Sequence, residues 1–524
     1  MPLLGIAGIA AWIAFTPTRA DVPPLAIERG EAIGIAEAGL AKRGVVLGAD
    51  WDRMAVPRLA VDDAAQRQWH SFVWREAGPQ AYRALVGNAL APPLWDVRFA
   101  RFAGDVAERA EEWRVTVTGD GKVRAVVHRL PEGRKGATLS RAEAQALAER
   151  ALREQFGADP SALVPRGADE YARPARKDWI FAYADPRVDV GKSGEARVQV
   201  AIAGDEVAAA SRSMYVPESW QRAESERDAR RQVVRIVAFG TVALASLAAL
   251  VFAIIAWARG RSDRRALVLM SVFVFALTIA GKINGWPTQA FSLTTTEPVT
   301  NQLVMSTLTV AAGAVVFALL LGLFAGVATH YARLQTPVRL EGRLPPWACG
   351  ALAALATAGV AAMLGATVPA SMPLWPDKAS AAAWVPWLAS AIEGLAFVPA
   401  TVVAIFLLAL FDRLTAGWTK RVALVAAVLV VLGAAIGLAS GKDVVHSLAQ
   451  GVVEGAVAFA FAWLLLRYDL RTVPAFVATG IVIEAARDAF RDGSADGWLA
   501  CAITTLVVLV LAWRAVKMIE RRAS

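Results

Sequence analysis

Hydrophobic and polar positions divide the chain near Val233. Beyond that point, long apolar runs alternate with short polar loops. A helix needs about 20 apolar residues to cross the hydrocarbon of a bilayer. Nine runs are candidates: 234–257, 266–283, 302–328, 348–369, 385–411, 421–439, 447–466, 472–486 and 498–515. Small residues crowd 433–441, which permits close helix packing. Residues 3–15 form a shorter apolar run within an anchor or signal-like segment over 1–20. That run lacks a basic leader, and no clean small-x-small cleavage site precedes Asp21, so an uncleaved anchor is favoured.

Before Val233 the periods change. Residues 21–232 read as an α+β domain of two related units, about 26–131 and 132–217, followed by a charged helix over 218–232. In the second unit, Ser140 and Glu143 have capping-box spacing. Ala144, Leu147, Ala148, Ala151, Leu152 and Phe156 then share one helical face. A strand is expected at 179–184, and a hairpin joins 196–202 to 206–212 across Gly204-Asp205. The first unit repeats the order: a helix over 27–43, a strand at 97–103, and a hairpin joining 113–118 to 122–129. It carries an insertion over 50–92. The order helix, strand, hairpin resembles PepSY-type domains, small extracytoplasmic modules often found beside membrane proteases.

Composition agrees with the pattern. Of 524 residues, 56% are hydrophobic and 19% charged, against roughly 45–50% apolar in soluble domains. The net charge of +9 does not indicate nucleic acid, because the basic residues cluster at the ends of apolar runs. With the loop holding Arg259, Arg261, Arg264 and Arg265 taken as cytoplasmic, that side collects 16 basic residues, including Arg339, Arg343 and Lys517. The opposite loops hold 5: Lys282, Lys378, Lys442, Arg487 and Arg491. The expected fold is a multi-pass α-helical membrane bundle with an N-terminal extracytoplasmic domain. Its expected location is the inner (plasma) membrane, with a cytoplasmic C-terminus. The lipid bilayer is then its first partner.

Cys349 and Cys501 lie in apolar runs, and CxxC, HExxH, GxSxG and Walker A patterns are absent. His70 and His128 sit in no metal-ligand spacing. No metal, cofactor or nucleic acid is expected. Ionisable residues inside apolar runs are costly and often functional. Glu393, Glu454 and Glu484 are such residues, and His446 stands at a run boundary.

One stretch carries a family resemblance. Leu388-Ala-Ser-Ala-Ile-Glu-Gly-Leu-Ala-Phe-Val398 resembles the first motif of the CPBP intramembrane proteases (CAAX-protease and bacteriocin-processing), Glu-Glu-x-x-x-Arg. Glu393 matches the first Glu and Phe397 the aromatic that often precedes the Arg, whereas Gly394 and Val398 replace the second Glu and the Arg. The stretch from Gly451 through Pro474 resembles the family's Gly-rich helix and following turn, and Gly480-Ile-Val-Ile-Glu484 stands where His-x-x-x-Asn is expected. The resemblance implies a peptidase-like bundle acting on a membrane-protein or peptide substrate. Its departures imply impaired or absent hydrolysis, because an acid, a base and an oxyanion stabiliser must converge. Glu393, Glu454, His446 and Glu484 are the candidate catalytic set. The alternative is a non-catalytic membrane protein whose outer domain binds a protein or peptide. A transporter ranks below both, since no repeat joins the apolar runs.

Overall fold

The computed structural model describes residues 1–335, 344–367, 370–440 and 443–523. The expectations for Arg339, Arg343, Gly441, Lys442 and the end of the 348–369 run lie outside them.

Helix α1 (Pro2–Phe15) leads into the sheet domain. There α2 (Arg29–Ala41), β1 (Asp52–Arg58), α3 (Ala64–Glu76), α4 (Gly78–Leu85), β2 (Leu94–Ala100), α5 (Val106–Arg109), β3 (Glu112–Thr118) and β4 (Val123–Arg129) form the first half. The second half holds α6 (Arg141–Phe156), β5 (Val164–Arg173), β6 (Arg176–Ala184), β7 (Glu195–Ala203) and β8 (Glu206–Tyr215). All eight strands join one antiparallel sheet in the order β1-β2-β3-β4-β8-β7-β6-β5. Each half therefore has four strands, one more than the pattern predicted. The missed strands, β1 and β5, are the two edges. Pro57 in β1 suits an edge, where one face of the ladder has no neighbour. β5 is mostly exposed and polar, so it shows no apolar alternation.

The halves meet at a single pair, Val127–Ala209. Those residues share one sheet face, so Val126 and Ala210 share the other. Val126 packs in the core under α2, and Ala210 in the core under α6. Both helices thus cover the same face. The capping box at Ser140 and Glu143 starts α6, and Gly157 ends it at φ +58°.

The remaining helices form a bundle: α7 (Glu218–Ala258), α8 (Arg264–Asn284), α9 (Trp286–Ser292), α10 (Val299–Leu334), α11 (Pro346–Gly365), α12 (Pro386–Leu395), α13 (Phe397–Leu414), α14 (Val422–Ser440), α15 (Val444–Phe461), α16 (Thr472–Asp492) and α17 (Ala495–Ala523). The charged segment 218–232 and the first apolar run are one helix of 41 residues, about 60 Å long at 1.5 Å per residue. The break between α12 and α13 follows from Pro399, whose ring clashes with the carbonyl four residues earlier. Among the described residues eight helices, not nine, are long and apolar enough to cross a membrane. The run at 472–486 is helical but is not among them. Its helix α16 extends to Asp492 and carries Glu484, Arg487, Asp488, Arg491 and Asp492.

Close approach uses glycine. A Cβ on Gly433 of α14 would stand 2.8 Å from Gly455 Cα of α15. Helix α1 packs against α11 in the same way: a Cβ on Gly359 would stand 2.6 Å from Gly8 Cα. Gly5 faces Leu352, and Gly8 faces Leu355 and Ala356, so the two helices run parallel.

The sheet domain sits on the loops at one end of this bundle. Asp96, Arg98 and Glu112 lie on the sheet face opposite α2, yet they are only 1%, 3% and 4% exposed. The end of α9 and the residues after it cover Arg98 and Glu112. Arg98 donates to the carbonyls of Phe291 (2.8 Å) and Leu293 (2.6 Å) and pairs with Glu112. Elsewhere Trp74 donates to Ala370 O (2.7 Å), and the Leu374 amide donates to Asp21 (2.8 Å).

Candidate functional site

The four ionisable residues singled out from the apolar runs lie on three different helices. Glu393 is on α12, which packs on α17, α8 and α13. His446 and Glu454 are on α15, against α14 and α11; Glu484 is on α16, between α11 and α17. The His446 ring faces Thr367 Oγ1 at 3.4 Å, and Glu454 accepts from Gln450 at 2.8 Å. Among the described residues no hydrogen bond or ion pair joins any two of the four. The side chains acting electrostatically on Glu393 are Asp377 and Asp488, at the sheet-domain end.

The sheet domain carries a cleft of about 710 Å³. One wall is the insertion, with Gln66 and Trp69 of α3. Another is the sheet near the junction of its halves, with Ala125 of β4 and Ser211 of β8. The end of α6 closes it with Gln155 and Phe156. Among the described residues no bundle residue lines it. The cleft lies beside the junction of the half-sheets, where β4 and β8 pair at Val127–Ala209.

Its charged lining is four basic side chains, Arg58, Lys122, Arg124 and Arg212, against two acidic ones, Asp63 and Asp120. Asp120 is committed to Lys122 and to the Thr118 hydroxyl, both at 2.5 Å. Those bonds hold its carboxyl below the ordinary range. Arg58 reaches into the sheet to buried Asp96 at 3.2 Å. Burial pushes Asp96 upward, even with Arg58, Arg114 and Arg98 around it. Arg124 donates to the carbonyls of Gly87 (3.1 Å) and Asn88 (2.9 Å), and Arg212 donates to the Asn88 side-chain carbonyl. Burial and the neighbouring Arg212 draw the Arg124 guanidinium down to about 10.

No family model, curated protein or solved structure matches this chain.

The two histidines of the domain have structural surroundings. His128, stacked on Trp113 at 3.6 Å, bridges Glu111 (2.8 Å) and Glu206 (2.6 Å), one carboxylate from each half. Burial works against its charge, but the two carboxylates outweigh that and hold it above the ordinary 6.5. His70, fully buried on α3, meets the Tyr82 hydroxyl at 2.7 Å; burial, with Arg124 adding to it, lowers it to about 3. Among the described residues no group of three His, Cys, Asp or Glu side chains could hold a metal ion. Sequence reasoning missed the cleft's arginines. Arg124 and Arg212 lie in strands whose alternation looks ordinary, and nothing local signals that two strands 88 positions apart bring them together.

Proposed function

We propose that this chain is a multi-pass protein of the inner (plasma) membrane whose extracytoplasmic sheet domain binds an extended peptide segment of a protein partner. The cleft carries this reading: it has the volume and the mixed apolar and polar lining of a binding site. The bundle anchors the domain. Basic residues gather at the bundle end away from the sheet, where Arg467 lies over Trp463 at 3.9 Å and Arg333 pairs with Asp263. That asymmetry supports a cytoplasmic C-terminus. We read the two half-sheets as related units, each a helix laid on four strands. The CPBP-like stretch around Glu393 is proposed as ancestry of the bundle. The spread of Glu393, Glu454, His446 and Glu484 over three helices, with no hydrogen bond or ion pair joining any two of them among the described residues, favours anchorage over peptide hydrolysis.

The test uses the full chain in lipid nanodiscs and a random extended-peptide library. The expected outcome is retention of a peptide subset, lost at least about tenfold (about 1.4 kcal/mol) in Ala125→Trp, which fills the cleft. Peptides retained equally by that variant would overturn the reading. So would turnover of the retained peptides that Glu393→Gln abolishes.

A further inference from the structure

Arg124 and Arg212 are two half-buried cations side by side in the lining of the cleft. Continuing the Val127–Ala209 register sets the two residues opposite each other across the gap between the half-sheets. They share Asn88: Arg124 donates to its main-chain carbonyl and Arg212 to its side-chain carbonyl. Two guanidiniums held on one residue repel, and burial adds to the cost. A carboxylate partner is the usual remedy. Among the described residues neither arginine makes an ion pair. Among the described residues Asp185 is the acid acting on Arg212, and Arg187 already grips it with two bonds of 2.8 Å. The acids of the cleft are elsewhere: Asp120 is held by Lys122, and Asp63 caps α3 through the Gln66 amide at 2.9 Å.

The spare donors point toward a ligand. Arg212 uses only Nη1 in a hydrogen bond, which leaves Nε and Nη2. The Arg212 guanidinium carbon lies 5.5 Å from the Phe156 ring centroid, within cation–π range. Ser211 lines the same part of the cleft. Planar forks of this kind match an oxyanion with paired N–H···O bonds.

We propose that Arg124 and Arg212 form an oxyanion receptor that anchors the carboxylate of the peptide bound in the cleft. This rests on the peptide-binding reading of the cleft and adds its chemical specificity. A lipid phosphate is a poorer source, because among the described residues no bundle residue lines the cleft. A free phosphate offers the same chemistry, and the experiment separates the two.

Two heptapeptide pools, identical except for a C-terminal carboxylate or carboxamide, are passed over the full chain in nanodiscs. In parallel, thermal unfolding is followed in inorganic phosphate and in chloride at equal ionic strength. The expected result is preference for the carboxylate pool by at least about tenfold. That preference falls to near unity in Arg212→Gln and survives in part in Arg212→Lys, which retains the charge without the fork. Equal retention of both pools by the wild type overturns the receptor while leaving the cleft as a peptide site. Retention of neither pool, with a phosphate stabilisation lost in Arg212→Gln, supports the receptor with free phosphate as its ligand and overturns the peptide reading. Retention of neither pool and no phosphate effect overturns both. The wild-type comparison stands even where a variant fails to fold.

Discussion

At the scale of single residues, the polar groups of the sheet domain explain most of its buried charge. His128 ties the two halves through Glu111 and Glu206. Its affinity for a proton is raised in the folded state, so the contribution of its charged form is complete below the ordinary 6.5 and is lost as pH rises through the folded value. Thermal stability of the sheet domain should therefore decline from about pH 6 to about pH 8. His128→Asn should remove about 1.5–3 kcal/mol at the acid end and flatten that slope. A variant that unfolds with the wild-type pH profile would show that the bridge is energetically idle. Arg98 and Glu112 make a different point. The strand expected at 97–103 lies at Leu94–Ala100, and it is buried on both faces, with the end of α9 and the residues after it over Arg98.

At the scale of elements, small residues decide which helices touch. Gly433 and Gly437 of α14 face Gly451, Gly455 and Ser447 of α15 at backbone contact. In a bilayer, helix association depends on such packing. Gly451→Leu should cost about 1–3 kcal/mol or more, read as a lower unfolding temperature in detergent, because the displaced atoms are backbone. Gly480→Leu, with open space beside it, is the matched control and should change little. Equal effects would mean that the glycine contacts do not hold α14 on α15. The small-residue run from 433 was legible, but its partner helix was not, since packing partners are set by three-dimensional geometry. Edge strand β5 escaped notice because it is mostly exposed, and β1 because its buried residues, Met54 and Ala55, are adjacent and do not alternate. The hairpins at Gly121 and Gly204 were legible because a positive φ requires a residue type that stands out.

At the scale of the whole molecule, the sheet domain rests on the loops at one end of the bundle, and the basic loops lie at the other. The proposed orientation predicts labelling in cells. With Cys349 and Cys501 replaced by Ser, a cysteine at exposed Asp205 should react with a membrane-impermeant maleimide in intact spheroplasts. A cysteine at exposed Lys420 should react only after lysis. The reverse pattern would invert the topology and remove the case for an extracytoplasmic binding site. The parallel packing of α1 on α11 fits the same orientation, since both would then run outward.

The sequence by itself determined the apolar runs, the helical and strand periods, the hairpin turns and the charge asymmetry of the loops. These are local properties, written in the spacing of a few neighbouring residues. Tertiary structure alone decided how α12, α15 and α16 pack, and that no hydrogen bond or ion pair among the described residues joins any two of Glu393, Glu454, His446 and Glu484. It also decided that a single strand pair joins two half-sheets and leaves a cleft with two arginines across it. Each of these depends on contacts between distant segments, and the spacing of neighbours carries no record of them.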